Sequence, residues 1–492
     1  MVQIPRTMST QHPDNATPPF FAEGPVTEGE DEIQEAYYIY SHLGCDEQMW
    51  DFEGKEGDAY AVKKLLSRYD DYFESNILGK DHRLTIRGPN PDVEISEAKI
   101  LLEILDSIPR SYDAAKLFYE DAGIDPTPPI FEVIIPMVTN ATQLDLVHDY
   151  YQEQVVGQAD HTLADGRTVS DWVGEFMPEE ISVIPLIEDR ESMLSAHEIV
   201  EQYIEGRDVD HQRVFLARSD PAMNYGSLAA DLINKVSLQR LYQMAMTTDT
   251  EIHPIFGAGS VPFRGNLSPH TAHDIAAAYP EVETFTIQSA FKYDYPISET
   301  REGIEALHSA DLGRRPPRID EDRALDVIDD TAEHYSRQVK SIEPLVNRLA
   351  ENIPSRRSRK LHVGLFGYSR EVGESSLPRA ITFTATLYSV GFPPSIMGLS
   401  GLSDDDLDFV EEVFPQFFPN LERALQYYNP RSLEVVDIPE EDVEAALDLV
   451  DYDPDPEHQS ATDAVIDGLT ASSDHKIEND IVEAARIRRF LG

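Results

Sequence analysis

Short runs of apolar, often β-branched residues alternate along the chain with longer stretches in which apolar positions return every three or four residues. A brief continuous apolar run between turn residues fits a strand buried on both faces, whereas the three-to-four spacing fits a helix with one buried side. Strands are predicted over residues 83–87, 130–137, 182–188, 213–220, 251–256, 283–289, 362–369 and 394–399. Helices are predicted over 94–108, 141–156, 191–205, 225–246 and 324–353. Asn140 and Ser268 stand where a side-chain oxygen would satisfy the first orphan amides of a helix.

Strands and helices in alternation predict an α/β fold, a (β/α)8 TIM-type barrel with many additional helices. One domain is expected over residues 1–492, with a helical segment 1–80 carrying His12, a barrel over 81–400 and a helical segment 401–492. An open doubly wound sheet shares this periodicity, but its ligand fingerprints are missing. Residues 257–259 read Gly-Ala-Gly without the third glycine, and no Gly-x-x-x-x-Gly-Lys-Ser/Thr loop occurs.

Composition changes the picture in three ways. No apolar run approaches the ~18 residues of a membrane span, and residues 1–11 have no signal-peptide core, so a cytoplasmic protein is expected. Cys45 is the single cysteine, which excludes an intrachain disulfide and a multi-thiolate metal site; any metal is held by oxygen or imidazole, favouring Mg²⁺ or Mn²⁺. The net charge of −51 disfavours nucleic acid as a partner, and because the acids are dispersed it reads as a solvated, halophilic surface.

In a barrel the reactive groups gather at the C-terminal ends of strands, and several predicted strands end in such a residue. Arg87 closes the first, Glu188 the third and Asp220 the fourth, and Arg370 follows the seventh. Glu188 and Asp220 on neighbouring strands would form an open Mg²⁺ or Mn²⁺ site; pairing with Arg190 or Arg218 is an equal alternative. Residues 257–265, with Gly257, Gly259 and Arg264, form a glycine-rich loop after a strand that could wrap an anion with its amides, or could be a plain turn. Arg370 and Arg379 flank Ser376, placed to cap a helix with Pro378 in its first turn, a location suited to a phosphate or carboxylate. His12, in a polar segment before the first helix, is a credible general base if it folds over the barrel mouth.

Residues 6–15 read Arg-Thr-Met-Ser-Thr-Gln-His-Pro-Asp-Asn, and from this opening onward the chain resembles archaeal-type phosphoenolpyruvate carboxylase essentially from end to end. Gln11-His12-Pro13 is similar to that family's Ala-His-Pro motif, whose histidine is the catalytic base, and Leu-Thr-Ile-Arg87 resembles the Leu-Asp-Ile-Arg of the longer bacterial and plant enzymes. Residues 185–188 and Ser219-Asp220 match its two metal-ligand segments, and residues 257–265 look like its Gly-Arg-Gly-Gly loop. Residues 286–289, with Gln288, are similar to its Thr-Glu-Gln-Gly strand, and the segments around Arg370 and Arg379 resemble its phosphate-binding arginines. Ala258 and Met223 depart from the arginine and lysine of the long enzymes, whose regulatory extension has no counterpart.

The resemblance implies a homotetramer without a covalent cofactor. It also implies that phosphoenolpyruvate and bicarbonate give oxaloacetate and phosphate through carboxyphosphate and an enolate. Glu188 and Asp220 would hold the metal, arginines among Arg87, Arg370 and Arg379 the phosphate, and Arg264 with its loop would shield the intermediate. A metal-dependent aldolase or lyase acting on oxaloacetate-like acids is the alternative, and it would not need bicarbonate. A salt-adapted binding protein without turnover is a third reading.

Overall fold

In the computed structural model, which describes residues 4–53, 57–358, 370–372, 375–470 and 474–492, eight parallel strands close into a barrel in chain order. They are β1 (Thr7–Ser9), β2 (Glu47–Asp51), β3 (Arg83–Arg87), β4 (Glu132–Ile135), β5 (Ser182–Ile187), β6 (His211–Ala217), β7 (Glu251–Gly257) and β8 (Thr284–Ile287). Outward-facing residues such as Trp50, Ile86, Val133, Val183, Val214 and Phe256 join the large core formed with the surrounding helices. Inward-facing ones make a separate apolar cluster of Met8, Met49, Ile134, Ile184, Leu186, Phe215, Ala217 and Ile255. Successive side chains on a strand point to opposite faces, so a step of two residues along the inner face moves one level up or down the barrel.

One level below the apolar cluster the interior is charged. Arg213, fully buried, donates from Nη1 and Nη2 to Glu47 (2.9 and 2.7 Å) and from Nη1 to Glu132 (3.0 Å), and Arg83 donates to the same Glu132 oxygen at 2.8 Å. Buried charges persist only when paired, and here each ion faces an opposite one across the barrel. One level above the cluster stand Asp51, Arg87, Glu188 and Gly257, at the C-terminal mouth.

The sequence expectations need correction at the barrel's ends. The barrel strands run from residue 7 to residue 287, so the barrel does not occupy 81–400. β1 is too short to show a pattern, and β2 was missed because Glu47 and Asp51 interrupt its apolar character in order to meet Arg213 and Arg87. Residues 394–399 are a buried turn containing the 3-10 segment Pro394–Ile396, since Pro393 and Pro394 have no N–H for a strand ladder. The predicted strand 362–369 lies outside the described residues. Asn140 does cap its helix, accepting from the Gln143 amide at 3.3 Å, but at Ser268 the chain is still turning and Thr271 precedes the helix Ala272–Ala278.

β1 closes the barrel by pairing with β2 on one side and β8 on the other. Its entry is fixed by Asp46, whose Oδ2 accepts from the amides of Arg6 (2.8 Å) and Thr7 (3.1 Å), from Thr7 Oγ1 (3.1 Å) and from His308 Nε2 (3.2 Å). Burial opposes ionisation of Asp46, but His308 and the two amides outweigh it and hold the carboxyl below its usual value. The hydrogen bond to Asp46 raises His308 in turn.

A lowered carboxylate stabilises the fold above its unfolded value and loses that contribution as pH falls through the folded value. A raised histidine stabilises below its unfolded value and loses it as pH rises through the folded one. The contribution of this pair is therefore greatest between about pH 4 and about pH 6.5. Asp46→Ala is expected to lower stability by about 3 kcal/mol. The Tm difference from the parent should be largest in that window and shrink on either side, as thermal unfolding followed against pH will show.

Candidate active site

A cavity of about 660 Å³ opens at the C-terminal mouth of the barrel. His12, Arg87, Glu188, Asp220, Gly257, Arg264, Gln288 and Arg379, all singled out from the sequence, line it together. They come from the ends of β1, β3, β5, β6, β7 and β8 and, for Arg379, from the start of the helix Ala380–Ser389. Gly259 is not in the lining but stands behind it. The side chain of Arg370 lies outside the described residues; its backbone begins a hairpin of β9 (Arg370–Val372) and β10 (Ser375–Leu377).

Glu188 follows β5 directly and Asp220 opens the helix after β6, and these two strands are hydrogen-bonded neighbours. The two arginines weighed as their partners pair with other carboxylates. Arg218 grips Asp231 with two hydrogen bonds (2.7 and 2.9 Å), and Arg190 pairs with Asp329 at 2.6 Å. Among the described residues no three His, Cys, Asp or Glu side chains are arranged to hold a metal. Two carboxylates in one cavity, with water or substrate completing the shell, nevertheless suit a hard divalent cation.

The arginines of the cavity differ in how far their charge is neutralised. Arg87 donates to both oxygens of Asp51 (3.0 and 2.7 Å) and lies 2.9 Å from Glu53. Burial works against its charge, yet Asp51 and Glu53, with Glu188 farther off, push its pKa well up. Arg264 is the reverse case. It donates to Ser219 Oγ (3.1 Å), Gln288 Oε1 (2.8 Å) and a main-chain oxygen of Gly492 (2.7 Å), with Asp14 at a longer 3.4 Å. Burial, opposed by Asp14 and Asp220, holds Arg264 below the ordinary guanidinium value, and burial likewise raises Asp14. Arg264 thus has a longer carboxylate contact than Arg87 and lines the cavity.

Arg356 was not anticipated. It is 7% exposed, lines the cavity, and donates to the carbonyls of Asn15 (3.3 Å) and Ala16 (2.8 Å). No motif in the sequence marks it, because it follows a long helix, Glu321–Ala350, and no barrel strand is near it in sequence. Arg357 beside it is neutralised by Glu32 (2.8 Å) and Glu35 (2.8 Å). Glu53, also missed, lies just past the unrecognised β2 and reaches both Arg87 and Arg379, the latter at 3.4 Å.

Two local expectations are revised. Part of the loop after β7 is bonded within itself instead of being left for an anion: Gly259 donates to the Arg264 carbonyl (2.8 Å), Arg264 to Val261 (2.9 Å) and Asn266 to Val261 (2.9 Å). The loop is folded on itself to aim Arg264. A Cβ on Gly259 would lie 3.1 Å from the Arg264 guanidinium and 3.2 Å from Gln288 Oε1, which is why a glycine stands there. Ser376 belongs to a strand and does not cap a helix; the helix begins at Ala380, and its first turn, residues 380–382, lines the cavity. Its leading amides and dipole face that space. His12 lies past β1 and ahead of the first helix, Glu30–Tyr38, and its Nδ1 is 2.8 Å from Thr10 Oγ1.

Residues 4–492 match the phosphoenolpyruvate carboxylase family. The chain belongs to that family. A phosphoenolpyruvate carboxylase of Halobacterium salinarum is 62% identical over 492 residues, covering all of both chains. One of Methanothermobacter thermautotrophicus is 50% identical over 491 residues, again covering both, and one of Pyrococcus abyssi is 47% identical over 490 residues, 99% of this chain and all of the other. Among solved structures, an HpcH/HpaI aldolase from Desulfitobacterium hafniense DCB-2 aligns with 62% of this chain and 92% of its own at 14% identity and a TM-score of 0.31, and nothing is inferred from it.

If Gly259 is present to leave room for Arg264, Gly259→Ala should displace the guanidinium by a few tenths of an ångström. The expected result is about a tenfold fall in kcat for oxaloacetate formation with little change in Tm, measured by a coupled assay beside thermal unfolding.

Proposed function

We propose that phosphoenolpyruvate carboxylation, the reaction that names the family, runs in this cavity with His12 as base, Glu188 and Asp220 as metal ligands and arginines around the phosphate. The observation that carries the reading is the convergence of these groups above an apolar floor of Leu186, Phe215 and Ala217. The phosphate of the substrate is assigned to Arg356, Arg379 and the first turn of the helix Ala380–Ser389, where charge and backbone amides combine. Arg370, outside the described side chains, remains part of the assignment by resemblance. Arg87, already neutralised, acts chiefly by holding Asp51 and Glu53 at the rim.

Glu188 and Asp220 would hold a Mg²⁺ or Mn²⁺ ion, which supplies positive charge where the enolate oxygen develops. A bicarbonate oxygen attacks phosphorus and the bond from phosphorus to the enol oxygen breaks, giving carboxyphosphate and the enolate of pyruvate. Arg264 and the phosphate-binding arginines stabilise that charge by position alone, as phosphoryl transfer requires. His12 removes the carboxyl proton of carboxyphosphate. The O–H electron pair becomes the second C=O bond of CO₂, and the C–O bond to phosphate breaks with its electrons left on phosphate. The enolate carbon then attacks CO₂, held against the apolar floor, to form oxaloacetate. Sheltering by Arg264 and its loop keeps water from protonating the enolate to pyruvate.

Assembly as a homotetramer, a cytoplasmic location and adaptation to high salt belong to the same proposal; no described helix is long and apolar enough to cross a membrane.

Oxaloacetate should form from phosphoenolpyruvate, bicarbonate and Mg²⁺ in concentrated KCl, and a chelator should abolish it. Continued turnover without bicarbonate would favour the lyase alternative. His12→Asn should retain part of the substrate-dependent phosphate release while losing oxaloacetate; unchanged carboxylation would discard the role of His12. Arg356→Gln should raise the KM for phosphoenolpyruvate by about 10- to 100-fold, and an unaltered KM would remove Arg356 from the phosphate site.

A further inference from the structure

His12 sits on an unusually well-anchored support. Thr10, two residues earlier, is fully buried; its amide donates to the Ile287 carbonyl of β8 at 3.0 Å and its carbonyl accepts from Lys292 Nζ at 2.8 Å. Lys292 is itself buried and tied to Ser9 Oγ (3.0 Å) and Glu35 (2.8 Å). Glu35 also accepts from Tyr293 (2.7 Å) and from Arg357 (2.8 and 2.9 Å). The backbone of Thr10 is thus fixed from both sides, and its hydroxyl has a defined place. That hydroxyl lies 2.8 Å from His12 Nδ1, on a ring that lines the cavity.

We propose that Thr10 is a positioning residue for the carboxylation: its Oγ1 accepts the Nδ1–H of His12 and so presents the unprotonated Nε2 to the reacting acid. A neutral imidazole has one protonated and one unprotonated nitrogen, and the partner at one decides the state of the other. A hydroxyl can donate or accept, and as the acceptor of Nδ1–H it leaves Nε2 as the base; once the ring is protonated at both nitrogens Nδ1 can only donate, which this acceptor suits. When Nε2 takes the proton, Nδ1–H still points to Thr10, so the hydrogen bond survives the transfer and nothing in the support has to reorganise. A neutral hydroxyl also orients the ring without adding a carboxylate's charge behind it. Carboxyphosphate is a strong enough acid that orientation matters more here than extra basicity.

This rests on the reading of His12 as the base, and the test separates the two. Thr10→Val keeps the shape and removes the hydroxyl, Thr10→Ala guards against a packing clash, and Thr10→Ser restores the hydroxyl. In the first two, oxaloacetate formation should fall about tenfold or more, the KM for phosphoenolpyruvate should stay within about twofold, and pyruvate plus phosphate should rise relative to oxaloacetate. Thr10→Ser should recover most of the parent ratio. In the His12→Asn background, Thr10→Val should have no further effect. Parent turnover and product ratio in Thr10→Val and Thr10→Ala, or a loss that Thr10→Ser does not repair, would overturn the role of Thr10. Should His12→Asn itself leave carboxylation intact, the reading of His12 fails first and Thr10 falls with it. If His12→Asn abolishes carboxylation while Thr10→Val and Thr10→Ala do not alter it, Thr10 alone is rejected.

Discussion

The barrel closes through three residues. β1, Thr7–Ser9, pairs with β2 and with β8, and without it the sheet would end in two open edges instead of a ring. So short a strand contributes few ladder bonds, and the Asp46 carboxylate compensates by binding the amides that lead into it. The same closure carries His12 to the rim, because His12 lies directly beyond β1 and its carbonyl accepts from the Ser289 amide just past β8 at 3.3 Å. Barrel integrity and the location of the candidate base therefore depend on one set of contacts.

Above that constraint, the two-residue period of the strands sorts the interior into levels. The floor is ionic, with Glu47, Arg83, Glu132 and Arg213 neutralising one another out of contact with water. The middle is apolar and denies solvent a path from below. The rim carries charges that are not all neutralised to the same degree. Arg87 is committed to Asp51 and Glu53, Arg264 is shared among Ser219, Gln288, Gly492 and a longer contact to Asp14, and Arg356 donates to two peptide carbonyls. Arginines and the carboxylates Glu188 and Asp220 thus line one cavity, with Arg264 close to Asp220. A phosphorylated enol acid is a ligand that uses both signs.

Much of this was legible in residue order, and the failures have physical causes. Strands β3 to β8 appear as apolar runs because both their faces are buried, and the Asn140 cap is visible because its chemistry is local. β2 is hidden by charges that are satisfied only across the barrel. The buried turn at 394–399 imitates a strand because burial without a ladder looks the same in sequence. Amides of the loop after β7 were expected to be available to a ligand, and hydrogen bonds within the loop use several of them, including that of Gly259.

The amino-acid order alone determined the fold class, the lack of a second cysteine for an intrachain disulfide and the excess of acidic residues, and its motifs singled out His12, Glu188, Asp220, Arg264 and Arg379, which the fold brings to one cavity. These are properties of residue type and near-neighbour spacing. The tertiary structure alone decided which carboxylates each arginine meets, that Arg356 reaches the cavity, and that Thr10 stands behind His12 on a support built from Lys292 and Glu35. Such outcomes turn on partners hundreds of residues apart, and whether a charge is neutralised depends on what meets it in space.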